Sequence, residues 1–339
     1  LDEPTAALAE HEVLILLDIL RDLRKRGIAS IYISHKLDEV FSIADRVTVL
    51  RDGTTVSTQQ AAETSKNDVI RHMVGRELGD LFPRRSSQPG DIILQVDSLA
   101  VADAESGTTK LHDIQFELRA GEVLGIGGLM GAGRTELLMH LFGAWGRRVS
   151  GQVTLKGHST AGWTPESIIQ NGLVLASEDR RRYGLHLEHE IGFNLSLSSL
   201  SSVTRGGFIQ RNAEIHRNQG IFDSLRVKAT GLEAVVGKLS GGNQQKVVLG
   251  KALLTQPSII LLDEPTRGID VGAKLEIYAI INQLTAEGKA VILVSSELPE
   301  LIGMSDRILM LNAGRIGGAF TRAEATQEKL MAAAMGHAG

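Results

Sequence analysis

Between Glu10 and Arg26 apolar residues recur at helical spacing, Leu14, Leu17 and Leu20 among them. Gly27 follows where a helix C-cap belongs. The pattern predicts a helix there, then a strand over Ala29–Ser34 and another over Arg46–Arg51, closed by the turn Asp52-Gly53. Farther along, Glu122–Gly127 reads as a buried strand and Glu136–Phe142 as an apolar helix, with a later helix expected to start near Lys246. Ile259 to Leu262 are four apolar residues that run into Asp263-Glu264. That is the pattern of a central parallel strand delivering carboxylates at its C-terminal edge, where open α/β sheets bind ligands. The pattern lapses over residues 76–91, which contain Pro83, Arg84-Arg85, Ser86-Ser87 and Pro89-Gly90 and read as a linker.

The sequence repeats. Leu1-Asp2-Glu3-Pro4-Thr5 recurs as Leu262-Asp263-Glu264-Pro265-Thr266, and the same offset aligns Gly27 with Gly288, Ser34 with Ser295, Asp45-Arg46 with Asp306-Arg307 and Gly53 with Gly314. Without a gap, 18 of the first 53 positions are identical, which marks a true internal repeat. Residues 1–75 therefore read as the C-terminal part of a first domain, 76–91 as the linker, and 92–339 as a second, complete domain with the same ending. Each copy must bury a comparable core. The expectation is that about 170 further residues precede Leu1 in the intact protein.

Composition narrows the classes. At 339 residues there is too much chain for one core, so two domains are expected. A hydrophobic content of 42% with mean hydropathy near zero describes an ordinary globular protein. No run approaches the roughly 18–20 apolar residues that cross a bilayer, so a membrane role requires a partner. A net charge of −4 gives no sign of nucleic-acid affinity. The absence of cysteine excludes disulfides, thiol catalysis and thiolate metal sites, and fits a reducing cytoplasm.

Between the strand ending at Gly127 and the helix from Glu136 lies Gly128-Leu129-Met130-Gly131-Ala132-Gly133-Arg134-Thr135, with the spacing of a P-loop. Glycines there let backbone amides turn toward phosphate oxygens, and a helix N-terminus adds a favourable dipole. Thr135 is placed to reach Mg²⁺. Arg134 stands where the motif has lysine; it keeps the charge but presents a planar fork instead of a compact ammonium. A glycine-rich turn without a ligand is the bland alternative. Asp263 is a candidate Mg²⁺ ligand and Glu264 a candidate for polarising the attacking water. Ser240-Gly241-Gly242 lies before a predicted helix and offers either an anion site or an ordinary N-cap.

Leu239-Ser240-Gly241-Gly242-Asn243-Gln244, about 18 residues before the strand at Ile259, resembles the signature of ABC-type ATPases. With Gly-Ala-Gly-Arg-Thr at 131–135, Asp-Glu-Pro-Thr-Arg-Gly-Ile-Asp at 263–270 and Ser-Ser-Glu-Leu-Pro-Glu at 295–300, the chain is similar to the ATPases of bacterial monosaccharide importers. The resemblance implies an α/β fold: P-loop NTPase domains of ABC type in tandem, the first incomplete. It implies ATP and Mg²⁺ as cofactors, a transmembrane sugar permease dimer as partner, a periplasmic sugar-binding protein as indirect partner, and a place on the cytoplasmic face of the cell membrane. D-xylose is the expected cargo, with ribose, arabinose and galactose open. A soluble, permease-free ABC ATPase is the rival class, and an inert nucleotide-binding module a third possibility.

Carried onto this sequence, the family's motifs give Asp2 and Asp263 as metal ligands and Glu3 and Glu264 as catalytic carboxylates. His35, after the strand ending at Ser34, corresponds to the γ-phosphate-sensing histidine, where the second copy has Ser296. Gly128, Gly131, Gly133, Arg134 and Thr135 would hold phosphate. Ser240, Gly241, Gly242 and Gln244 would complete the other copy's site. Glu178 occupies the place of the family's Q-loop glutamine, and residues 99–112 contain no aromatic to stack on a base. The implied sites are unequal: one competent, with the first copy's Asp2, Glu3 and His35, and one impaired, with Arg134, Asp263 and Glu264. Arg180-Arg181-Arg182 would meet the permease, or is simply a solvated basic face.

Overall fold

The computed structural model describes all residues except 3, 6, 7, 9, 35, 52, 75–81, 85–88 and 337–339. The chain divides into two units, Leu1–Leu81 with Gly268–Leu275, and Phe82–Arg267 with Glu276–Gly339. The expected linker over 76–91 falls largely on residues outside the description, but its Phe82-Pro83-Arg84 belongs to the second unit.

The first unit contains helices α1 (Glu10–Lys25), α2 (Leu37–Ile43) and α3 (Lys66–Val74) and the antiparallel hairpin of β1 (Arg46–Arg51) with β2 (Thr54–Gln60). Val47 and Val49 alternate inward along β1 and pack with Val40 and Val69. Helix α1 buries Val13, Leu17 and Leu20, while Leu14, Ile15 and Ile19 stay exposed. Gly27 follows with φ of 75° and Gly53 turns the hairpin with φ of 77°, as the spacing predicts.

Among the described residues the expected strand over Ala29–Ser34 makes one parallel bridge, Asp2 to Ile33, flanked by bonds between the Leu1 and Ile31–Ile33 backbones. Residues 259–263 and 290–294, the matching segments of the second repeat, form full strands between neighbours on either side. Ile31 and Ile33 are exposed.

The second unit is built on two sheets. The antiparallel one comprises β3 (Ile92–Ala102), β4 (Thr109–Arg119), β6 (Arg147–Leu155) and β7 (His158–Ser159), in the order β4-β3-β6-β7. The six-stranded one takes β5 (Val123–Gly128), β8 (Leu173–Ala176), β11 (Ile259–Asp263), β12 (Ala290–Val294), β13 (Arg307–Asn312) and β14 (Arg315–Thr321), in the order β14-β13-β5-β12-β11-β8. All neighbours in it are parallel except β13 and β14. A two-stranded ribbon, β9 (Thr204–Arg205) with β10 (Phe208–Ile209), stands apart.

Helices α4 (Arg134–Leu141), α5 (Pro165–Gln170), α6 (Ile191–Ser196), α7 (Arg211–Ser224), α8 (Gly241–Leu253), α9 (Val271–Ala286), α10 (Leu298–Met304) and α11 (Gln327–Ala334) complete the chain. Every residue of β11 and β12 is buried, which explains their unbroken apolar runs. One core joins Val96, Leu111 and Leu155 of the antiparallel sheet to Ile126, Leu261 and Ile292 of the mixed sheet and to Leu137 and Leu138 of α4.

Two helix starts differ from expectation. Helix α4 begins at Arg134, because Gly133 adopts the left-handed cap conformation with φ of 99°. Helix α8 begins at Gly241, five residues before the expected Lys246. Ser240 takes the extended N-cap backbone and its carbonyl accepts the Gln244 amide at 2.9 Å, so the two glycines form the first turn despite their low helix propensity. Lys246 lies inside the helix with a side chain 2% exposed, paired with Glu276 at 2.7 Å.

Candidate nucleotide-binding site

The parallel strands β5 and β11 deliver their C-terminal ends to one edge of the mixed sheet, with β12 between them. Gly128 ends β5 and Asp263 ends β11. From Gly128 the loop to α4 needs three positive φ angles, at Gly128 (149°), Gly131 (77°) and Gly133 (99°). A Cβ at Gly128 would lie 2.6 Å from the Leu311 carbonyl oxygen, and one at Gly133 would lie 2.9 Å from the Leu111 side chain. At Gly131 nothing stands within 4 Å. The outer glycines thus fit the loop against the core, while the middle one faces open space. Because α4 starts at Arg134, the first-turn amides lack intrahelical acceptors and are available to an anion.

The side chains converge on the two carboxylates. Arg134 Nη1 donates to Glu264 Oε1 at 3.1 Å, and Ser296 Oγ donates to Glu264 Oε2 at 3.1 Å. Glu264 holds a left-handed backbone, φ 48°, fixed by its amide donating to the Val294 carbonyl and its carbonyl accepting from Arg267. Burial raises the Glu264 carboxyl above its ordinary pKa, against the lowering effects of Arg134 and Ser296. Asp263 is 2% exposed and its Oδ1 has no hydrogen-bond partner. Burial pushes its carboxyl up to about 6, the Thr135 hydroxyl pulling the other way and the Glu264 charge adding to the rise. A buried carboxylate with an unpartnered oxygen beside a hydroxyl has the chemistry of a site for a hard cation.

The other expected site residues are placed as follows. Glu178, after β8, forms an ion pair with Arg267. Ser240 caps α8 in an exposed position, its Oγ accepting from Asn243 Nδ2 at 2.9 Å, with Gly241 and Gly242 in the turn behind it. Gln244 is buried, and its Nε2 donates to the Val236 and Leu239 carbonyls, so this amide holds the preceding turn. Among the described residues no hydrogen bond or ion pair joins Ser240–Gln244 to Arg134, Asp263 or Glu264. Asp2 is exposed at the bridge to Ile33. Glu3 and His35 lie outside the described residues. Of the basic run, Arg181 and Arg182 are exposed, their amides capped by Asp179, whereas Arg180 is half-buried and reaches the Arg267 carbonyl, so the three arginines do not form one solvated face.

Sequence reasoning credited Ser296 with nothing beyond not being histidine, yet it holds one oxygen of Glu264. It also missed a buried pair behind the carboxylates: Thr266 Oγ1 donates to Glu300 Oε1 at 2.6 Å. The repeat offset contained that signal. Thr5 and Glu39 occupy the matching positions, and Thr5 Oγ1 donates to Glu39 Oε2 at 2.8 Å.

The ABC transporter family model matches residues 111–267, from the start of β4 through the turn after β11. The chain is 52% identical over 336 residues to the Xylose import ATP-binding protein XylG of Geobacillus kaustophilus, covering 99% of this chain and 67% of the relative. It is 44% identical over 337 residues to the protein of the same name from Brucella abortus, covering 99% and 66%. Among solved structures, a nucleotide-free ATP-binding cassette from an ABC transporter superposes with a TM-score of 0.58 at 20% identity, covering 68% of this chain and 92% of that one. A cassette dimer bound to ADP and Pi gives 0.59 at 19% identity, covering 68% and 99%. These likenesses establish the P-loop α/β fold of the cassette, and the sequence identity establishes kinship: the chain belongs to the family of ABC-transporter ATP-binding proteins.

Proposed function

We propose that the chain is the ATP-binding and hydrolysing subunit of an importer for D-xylose, seated on the cytoplasmic face of the cell membrane against a permease pair fed by a periplasmic sugar-binding protein. The observation that carries the nucleotide reading is Asp263, buried with an unpartnered oxygen at the mouth of the Gly128–Thr135 loop. The names of the relatives support the sugar. Among the described residues no helix is long and apolar enough to cross a membrane, which suits a subunit that works through a permease. Exposed Arg181, Arg182 and Tyr183 are the surface we assign to permease contact.

In the second repeat, the amides of Gly131–Thr135 and the Arg134 guanidinium would bind phosphate oxygens, and Thr135 and Asp263 would hold Mg²⁺, which would supply charge neutralisation at the phosphates. Glu264 is a poor base for water here: Arg134 and Ser296 each occupy one of its oxygens. Hydrolysis therefore falls to the first repeat, where Asp2, Glu3 and His35 supply the metal ligand, the base and the phosphate sensor, with Ser240, Gly241 and Gly242 as the signature contribution. The second site binds nucleotide and turns it over slowly. A soluble ATPase acting on nucleic acid is disfavoured by the net charge of −4.

The test is xylose-stimulated ATPase activity of the assembled transporter. Glu3→Gln is expected to lower turnover by roughly 100-fold, the scale of a lost general base, and Glu264→Gln by less than about threefold. Equal losses would overturn the asymmetry. Stimulation by ribose, arabinose or galactose in place of xylose would reassign the sugar.

A further inference from the structure

The short segment Phe82-Pro83-Arg84 is seated more firmly than a tether between repeats requires. The Arg84 side chain is 2% exposed. It donates to both Asp306 oxygens at 3.3 and 2.5 Å, to Asn282 Oδ1 at 3.2 Å, to Thr285 Oγ1 at 2.8 Å and to the Gly121 carbonyl at 3.5 Å. The backbone is held as well: Asn282 Nδ2 donates to the Pro83 carbonyl at 2.8 Å and Arg322 Nη1 to the Arg84 carbonyl at 3.2 Å. Phe82 rests on Gly303 in α10, where an added Cβ would land on its ring. At the matching position the first repeat has Ser42, so this seat is particular to the second.

Behind Phe82 the contacts run straight to the carboxylate turn. Its ring lies 5.6 Å from that of Tyr278 in α9. Tyr278 is buried, and burial together with the facing Glu300 carboxylate raises its phenol, keeping it protonated. Glu300 is 0% exposed, accepts the Thr266 hydroxyl, and leaves Oε2 without a partner. Thr266 stands two residues after Glu264. In the first repeat the equivalent Glu39 is served from within, by Tyr32 at 2.7 Å and Lys36 at 3.2 Å. In the second, Leu293 and Glu297 stand at the positions of Tyr32 and Lys36, and a tyrosine from α9 faces Glu300 instead.

We infer that Phe82-Pro83-Arg84 is a positioning element for the Asp263–Thr266 turn, acting through Tyr278 and Glu300. None of its residues touches nucleotide; they set how firmly the turn that presents Asp263 and Glu264 is held. A strain delivered through the segment loosens that turn, and occupation of the turn tightens the segment. The effect on nucleotide rests on the proposed nucleotide reading of this site, while the mechanical part does not.

The test begins with Gly303→Ala in the chain. Alanine is the better helix former, so the change harms only the Phe82 seat. Hydrogen exchange is followed at the amides of Glu264, bonded to the Val294 carbonyl, and Arg267, bonded to the Glu264 carbonyl. Roughly tenfold faster exchange is expected at both, with β3 and β4 amides unchanged. Phe82→Ala should act alike and add nothing in the double variant, Phe82→Leu should restore most of the protection, and MgADP binding should weaken in parallel. Unchanged exchange at Glu264 and Arg267, or an increase spread evenly over β3 and β4, overturns the inference. Failure of the unaltered chain to bind MgADP would instead sink the nucleotide reading and leave the exchange result standing.

Discussion

Asp45 and Asp306 are the same residue in two copies of one motif, followed in each by arginine and a strand, yet they work in different surroundings. Asp45 pairs with Arg24 at 2.7 Å across an exposed surface, the two side chains 66% and 59% accessible. Asp306 accepts from the buried Arg84 and from the Val123 amide at 2.8 Å, where β5 begins. The same contrast recurs along the offset. Among the described residues, 29–34 make one bridge, whereas Ala290–Val294 lie wholly buried between β5 and β11. A shared motif therefore fixes which contacts are possible, and the neighbours decide what each contact is worth.

The sharpest way to break this comparison is to remove each aspartate in turn. Asp306→Ala leaves the Arg84 guanidinium buried without its counter-charge and frees the Val123 amide. It should destabilise the second unit by about 3–5 kcal/mol, the usual consequence of orphaning one partner of a buried pair. Asp45→Ala removes an exposed pair, for which about 0–1 kcal/mol is expected. Urea unfolding of the two variants reads the difference. Similar losses would mean that Arg84 is not confined as described.

A second contrast concerns pH. Asp263 is buried with a folded value of about 6 against the ordinary 3.8, while its counterpart Asp2 is exposed. The native state therefore holds a proton through that window that the unfolded chain has released. The sign follows: stability is lost as pH rises from about 4 to about 6, by roughly 3 kcal/mol once both states are ionised. Asp263→Asn should remove this loss, stabilising the chain at pH 8 but not at pH 3.5. Thermal melts across pH read the difference, and a flat profile in the unaltered chain would show that Asp263 is more solvated than its burial indicates.

Much of this was legible in the sequence for a physical reason. A glycine needing positive φ, an unbroken apolar run and a carboxylate pair after it are local statements, and Gly128–Thr135 and Ile259–Glu264 stand where their patterns place them. What escaped were contacts that depend on which distant elements meet. Nothing in Ser296 advertises that β12 lies beside β11 and so brings its hydroxyl to Glu264. Nothing in Arg84, set among proline, serine and glycine in a stretch with the look of a linker, reveals a pocket formed by α9 and Asp306. The strand over Ala29–Ser34 erred in the opposite sense: its residues have the right propensity, but propensity forms no ladder by itself, and among the described residues they find one bridge partner. The signature helix was started too late because paired glycines read as a break, when the helical bonds already begin at the Ser240 carbonyl.

The smallest effect is expected at Ser296, where the first repeat has His35. Its hydroxyl is one of two groups on Glu264, and it is exposed, so water can replace most of the lost bond. Ser296→Ala should cost about 0.5 kcal/mol of stability, the low end for a neutral donor. It has a clearer spectroscopic consequence. Burial already holds the Glu264 carboxyl above its ordinary pKa, and Arg134 and Ser296 work against that rise. Removing the hydroxyl should move the carboxyl further up, with the Arg134 charge still opposing the rise. Titration of the Glu264 side-chain carbon by NMR reads the shift directly. A downward movement, or a stability loss approaching that of Asp306→Ala, would show that Ser296 and not Arg134 governs Glu264, and the impairment we propose for the second site would then have to be traced to the serine that replaces histidine.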